Sequence, residues 1–346
     1  MLVLGYGFMR RDQARFTPGP RVALIQGNFI ATARPDYRDV PRIFARYHML
    51  TGAAIVQQPD LVVWPEGMFP YPLLQKTDGV STKTLVEKHP QLAVDRLEKL
   101  KVSETLQQLS EKGGAAFIVG LQTIEVDEKK YRLYNSAVLA KSTGITDRYD
   151  KIHRVIFGEY IPLADWLPFL QAFTPYGGNF GIEAGTHSSA FEFKSYRAVP
   201  IICYEGTVPH VVRNLMSATR QVDASGKVKK ADLLVNISND GWFHGSSEHD
   251  QHLITAAFRS VEMRPPMVRA VNTGVSAVID GDGYIRARAR NEKSGLSKMD
   301  EAILVSDVPL DGRNSLYLRF GDWFGSLCLA GCFGCAACGL LDRFRK

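Results

Sequence analysis

The chain has 346 residues, 45% hydrophobic and 23% charged, a composition that suits a globular body of one large or two medium domains and argues against disorder. Its net charge of +6 comes without a dense basic block, the longest clusters being Arg10-Arg11 and Lys227 to Lys230, so no nucleic-acid partner is expected. Of five cysteines, four crowd positions 328 to 338 and Cys203 stands alone, and no disulfide framework is read from that distribution.

Residues 1 to 9 are apolar but too few to span a bilayer, and Arg10, Arg11 and Asp12 end the run. They lack the basic start and cleavage site of a signal peptide. We read residues 1–20 as the remnant of a membrane helix and a linker. A β-α-β beginning follows: a strand at Arg21 to Gln26, a helix over about Val40 to Gln57, and a strand at Asp60 to Trp64. The second strand runs into Pro65-Glu66-Gly67, which places Glu66 at the carboxyl end of a strand, where open α/β sheets put their chemistry.

Leu and Val at helical spacing between Ser81 and Lys112 predict helices outside the sheet. Strands return at Ala115 to Gly120 and Asn135 to Ala140 across a charged, hairpin-like connection. The segment Asp147 to Leu163 carries Lys151, His153 and Glu159 and leads into a Pro-, Trp- and Gly-rich loop. Loops of that length are usually functional, and we read Ile161 to Phe180, with Trp166, Phe169, Leu170 and Phe173, as a membrane-facing lid or as an apolar loop packed on the body.

Strands at Ala190 to Phe193 and Ala198 to Cys203 come next, then a helix over about Val208 to Thr219. Cys203 ends a run of β-branched residues. A thiol there is by itself more often a small buried hydrophobe, but a strand-to-helix turn can also expose it beside backbone N–H groups aimed at an oxyanion. Asp232 to Ile237 is a buried strand ending in the cluster Ser238 to Phe243, followed by a helix from about Glu248 to Glu262 and strands at Met267 to Val271, Ser276 to Ile279 and Ala302 to Ser306. This order predicts an α/β protein with a mixed pair of sheets covered by helices.

Residues 323 to 341 contain no charge over 19 positions. As a helix they would extend about 28 Å, enough for a hydrocarbon core, so a transmembrane helix is expected. Intervals of 4, 3 and 3 put Cys328, Cys332, Cys335 and Cys338 on one side of it, as small packing residues. Arg343, Arg345 and Lys346 would leave the tail cytoplasmic and the body on the opposite face, although Arg313 and Arg319 precede the helix. His244, His249 and His252 match no metal-ligand spacing, and no metal or other cofactor is expected.

Glu66 in WPEG, Lys151 in YDKIHRVIFGEYIPL and Cys203 in ICYEG occur in the order of the Glu-Lys-Cys triad of the nitrilase, or carbon-nitrogen hydrolase, superfamily, which the chain resembles. The flanking runs Asn239 to Ser246, Gln251-His252, Arg259 to Arg264, Arg269 to Gly274 and Leu316 to Trp323 are similar to the catalytic part of the apolipoprotein N-acyltransferase family. The resemblance implies an α-β-β-α sandwich over residues 21–312, a juxtamembrane segment and transmembrane helix over 313–346, and a bacterial inner-membrane location with the body on the periplasmic face. It implies Glu66 as base, Lys151 as the charge that stabilises the oxyanion and favours the thiolate, and Cys203 as nucleophile. Glu159, Glu205 and Tyr204 would support them, and Asn239, Trp242 and Phe243 would meet substrate. The implied donor is a phospholipid acyl chain and the acceptor the N-terminal amine of a diacylglyceryl-cysteine apolipoprotein. That family also carries N-terminal membrane helices, which a separate chain would have to supply unless they have been lost or removed. A hydrolytic amidase of the same superfamily, or a lipoprotein-binding module without catalysis, are the rival expectations.

Overall fold

The computed structural model describes residues 2–30, 37–163, 166–167, 169–170, 181–222, 226 and 228–344. In chain order the elements are α1 (Leu2–Asp12), β1 (Phe16–Gln26), α2 (Val40–Ile55), β2 (Leu61–Trp64), β3 (Leu73–Lys76), α3 (Thr82–Lys88), α4 (Val94–Glu98), α5 (Val102–Gly113), β4 (Ala116–Val126), β5 (Tyr131–Lys141) and β6 (Gly144–Asp150). The second half holds β7 (Phe191–Phe193), β8 (Tyr196–Ile202), α6 (Pro209–Ala218), β9 (Gln221–Val222), β10 (Val228–Lys229), β11 (Leu233–Ser238), α7 (Glu248–Met263), β12 (Met267–Val271), β13 (Ala277–Ile279), β14 (Ile285–Arg288), β15 (Ala302–Asp311), α8 (Leu316–Phe320) and α9 (Trp323–Phe344).

Two mixed sheets form, one in the order β15-β1-β2-β4-β5-β6 with β3 on β4, the other β14-β13-β12-β11-β8-β7. Side chains alternate along each strand, and β1 shows what this does. Val22 and Leu24 join a core shared with Val235 of the other sheet, while Ala23 and Ile25 face Tyr47, Leu50 and Ala54 of α2 and Leu106 of α5. On the far side Val212 and Leu215 of α6 and Leu253 and Ala256 of α7 cover the second sheet. The result is the expected α-β-β-α sandwich.

Strand direction then places the chemistry. In the first sheet β2 is parallel to β4, β4 antiparallel to β5 and β5 antiparallel to β6, so β2 and β6 deliver their carboxyl ends to the same rim. In the second, β8 and β11 are parallel. Glu66, Lys151, Cys203 and Asn239 each follow one of these four ends.

Three strands of these sheets were not expected. β6 reads Gly-Ile-Thr-Asp-Arg-Tyr-Asp and lacks an apolar period, but Arg148 satisfies its charges by bonding Glu125 at 2.5 Å and Asp150 at 2.6 Å. β3 and β14 are four residues each, too short for a pattern. β1 also begins earlier than expected, because Pro18 and Pro20 sit at a register shift against β15, where a missing N–H is tolerated.

α9 contains the stretch Trp323–Leu341, and none of it is buried against the body. Among the described residues it is the one helix long and apolar enough to cross a membrane. Its approach is tied to α1, since Arg10 donates to the carbonyl of Asn314 at 2.5 Å and Arg313 donates to that of Arg10.

Candidate active site

Glu66 sits two residues past β2 with its backbone pressed on β4. A Cβ at Gly120 would lie 2.5 Å from the Glu66 Cα and from the Pro65 carbonyl oxygen, so only glycine admits this approach. The Glu66 carboxylate accepts from Asn135 Nδ2 at 2.7 Å and from the Asn239 backbone N–H at 2.9 Å, and the second bond links the rims of the two sheets.

Lys151, just past β6, is 1% exposed, which excludes a solvated surface charge. Its ammonium donates to Glu159 at 2.6 Å and stands 3.6 Å from Glu66. Burial alone would push Lys151 down, but the negative charges of Glu66, a Cys203 thiolate and Glu159 outweigh it and hold the group above its ordinary range. Glu159 is oriented in turn by the Val155 N–H at 2.8 Å.

Cys203 opens a short 3₁₀ turn directly after β8 with φ of 52°, a left-handed conformation uncommon outside glycine. The strain turns the thiol out of the strand direction into a cavity of about 790 Å³ that Glu66 and Lys151 also line. The thiol is pushed up to about 12 by burial and then by the Glu66 charge, against Lys151 and a bond from Ser238. Lys151 acts in the expected direction, toward the thiolate, but burial and the Glu66 charge outweigh it, so the thiol keeps its proton until a base takes it.

Glu205 is fully buried and binds the Lys151 segment to the Cys203 turn. One oxygen accepts from Tyr149 Oη at 2.7 Å and from the N–H groups of Ile152 and His153 at 2.8 and 3.0 Å; the other accepts from Ile202 N–H at 2.9 Å. Burial raises its pKa despite these donors. Tyr149→Phe removes one bond to this buried carboxyl and is expected to lower unfolding free energy by about 1.5–3 kcal/mol, measurable in urea.

Tyr204 is half exposed, stacks on His153 with ring centroids 6.1 Å apart, and lines the cavity. Asn239, Trp242 and Phe243 also line it. The Asn239 side-chain oxygen is already engaged, accepting from Gly241 N–H at 3.2 Å and Asn272 Nδ2 at 2.9 Å. Of the expected lid, Trp166 and Phe169 are exposed, whereas Phe173 and the rest of residues 171–180 lie outside the described residues.

Two features of the site were not anticipated. Asn135 bonds Glu66 and reaches Glu159 at 3.5 Å, joining both carboxylates. Behind Cys203, Asn236 donates to the Ile201 and Cys203 carbonyls at 3.3 and 3.5 Å and accepts from Arg269, which also donates to buried Asp240 at 2.8 Å. Burial would raise Asp240, but Arg269 and His252 overturn that and hold it well below the usual carboxylate range. A depressed carboxylate stabilises the fold above its unfolded value, and the contribution disappears as pH falls through the folded value. The stability difference between wild type and Asp240→Asn should therefore be full above about pH 5 and shrink in stronger acid, as read by denaturant midpoints.

The profile of the carbon-nitrogen hydrolase family matches residues 21–312. The chain belongs to that family. Among curated relatives, an apolipoprotein N-acyltransferase of Geobacter metallireducens is 32% identical over 334 residues, covering 96% of this chain and 56% of the relative. One of Rhodopirellula baltica is 28% identical over 97% of this chain and 60% of its own length. The chain thus spans little more than half of these relatives. A solved structure of an amidase from Nesterenkonia sp. AN1, a mutant with acrylamide added at its active-site cysteine, shares the fold with a TM-score of 0.53 and 17% identity, over 87% of this chain and 96% of that one.

Proposed function

We propose that the chain is the catalytic part of an N-acyltransferase that moves a phospholipid acyl chain through a thioester on Cys203 to the N-terminal amine of a diacylglyceryl-cysteine apolipoprotein. The observation that carries this reading is the 32% identity to an apolipoprotein N-acyltransferase over 96% of the chain.

The neutral thiol needs a base in contact with its cavity. Glu66 takes the S–H proton as sulfur attacks the ester carbonyl, and the Lys151 ammonium faces the oxyanion that develops. As the C–O bond breaks, Glu66 returns the proton to the leaving alkoxide. The acceptor amine then attacks the thioester, the C–S bond breaks, and Glu66 carries a proton from nitrogen to sulfur. Glu159 and Asn135 hold the two charged groups at their stations, and Glu205 keeps the Lys151 segment against the Cys203 turn.

α9 anchors the body at a bilayer, with the site on the periplasmic side, so that the acyl donor arrives from lipid. The apolar residues lining the cavity, Leu121, Leu133, Val155 and Ile182 among them, suit an acyl chain and exclude water from the thioester.

The test presents the full chain in vesicles with acyl-labelled phosphatidylethanolamine and a diacylglyceryl-cysteine peptide. Label on the peptide amine supports the reading. Turnover of simple amides with no peptide acylation, even with the membrane helices of a relative supplied, replaces it with a hydrolytic amidase. Peptide binding that persists in Cys203→Ala with no turnover in the wild type indicates a binding module.

A further inference from the structure

His252 on α7 is 4% exposed, lines the same cavity as Cys203, and has no part in the steps above. Its Nδ1 lies 3.0 Å from Oδ1 of Asp240. Asp240 has no exposed surface, and its other oxygen accepts from Arg269 at 2.8 Å, which keeps it a carboxylate and an acceptor. Nδ1 must then carry the hydrogen, and in the neutral ring Nε2 presents a lone pair. Among the described residues that buried nitrogen has no hydrogen-bond partner. An unmet buried acceptor destabilises the fold, and it belongs to a residue that lines the cavity, which points to an N–H brought by a ligand.

The acceptor in the proposed reaction brings such groups. A free α-amino group titrates near pH 8, so at pH 7 it arrives mainly as an ammonium. It must lose two protons to become the amide nitrogen. Glu66 accounts for one, which ends on sulfur as the C–S bond breaks. The other has to leave before attack, because an ammonium has no lone pair to offer.

We propose that Nε2 of His252 takes this first proton, holding the acceptor as a free amine beside the Cys203 thioester. One N–H bond of the acceptor breaks, one Nε2–H bond forms, and the imidazolium, paired with Asp240, gives the proton to water afterwards. The inference rests on the N-acyltransferase reading and concerns only its second half, since acylation of Cys203 by an ester deprotonates no amine. The charged groups around His252 are Asp240 with Arg269 behind it, Glu248 one turn earlier on the same cavity wall, and, elsewhere on that wall, Glu66, Lys151, Glu159 and Cys203.

His252→Asn tests the step, because the amide can still donate to Asp240 but has no counterpart of Nε2. The full chain in phosphatidylethanolamine vesicles is acylated in a single turnover and chased with peptide, with hydroxylamine, which is already neutral at pH 7, or with water. Acylation, hydroxylaminolysis and hydrolysis should stay within about twofold of wild type, while transfer to the peptide amine at pH 7 slows about 10²-fold. That gap should close by about pH 9, where the solution itself frees the amine. Peptide transfer at the wild-type rate, or equal slowing with every nucleophile, overturns the inference. So does an Nε2–H tautomer of His252 in nitrogen NMR of the wild type at pH 7, a reading independent of whether the variant folds. A wild type that acylates neither Cys203 nor peptide overturns the N-acyltransferase reading, and this inference with it.

Discussion

Glu66→Gln is expected to slow formation of the Cys203 thioester by about 10²–10⁴-fold while making the thiol easier to ionise. The two effects oppose each other for a physical reason. Glu66 is one of the charges that push Cys203 up to about 12, so its neutralisation lets the thiol titrate at lower pH. The same change removes the group proposed to take the S–H proton and return it to the leaving oxygen. If Glu66 only shaped the pocket, more thiolate would mean faster acylation. Single-turnover acylation by phosphatidylethanolamine, set beside ultraviolet titration of the thiolate, separates the cases. A faster variant contradicts the assignment of Glu66 as base.

Lys151→Met is expected to cost about 10²–10³-fold in acylation, the usual loss when an oxyanion partner is removed. It should also destabilise the body by about 3–5 kcal/mol, the range for breaking a buried ion pair by deleting one partner. The reason is local: Glu66 and Glu159 share this one ammonium, at 3.6 and 2.6 Å, and would face each other without it. Methionine keeps the volume, so packing contributes little to the loss. Denaturant unfolding of the variant, compared at pH 7 and pH 5, gives a further check. Protonation of an uncompensated carboxylate at lower pH should recover part of the lost stability, whereas a packing defect would not respond.

The parts of the site legible in the sequence are those that end an apolar run. Glu66 and Cys203 stand where Leu61–Trp64 and Tyr196–Ile202 stop, so their position at a sheet rim follows from the pattern. Lys151 lacks that signal, because β6 is charged along its length, and its place comes from the resemblance. Asn135 and Tyr149 were out of reach for a different reason: on an exposed strand such residues would be ordinary, and only the approach of Glu66 and Glu159 to Asn135 and of Glu205 to Tyr149 gives them partners. The buried chain Asn236–Arg269–Asp240–His252 shows the same limit. Residues on a strand, a neighbouring strand, a loop and a helix make one network, and the one cue available beforehand was Arg269 inside the apolar run Met267–Val271, where a charge needs a partner. How far burial outweighs Lys151 at Cys203 was out of reach of the sequence, because residue identities reveal which charges are present, not how dry the cavity is.

The most direct measurement is the mass of Cys203 itself. After the full chain meets phosphatidylethanolamine without an acceptor, the peptide bearing Cys203 should gain one fatty acyl group through a bond that neutral hydroxylamine cleaves, and Cys203→Ala should gain none. Transfer of label to an acceptor amine with Cys203 never modified, or undiminished in Cys203→Ala, would contradict the thioester on which the mechanism stands.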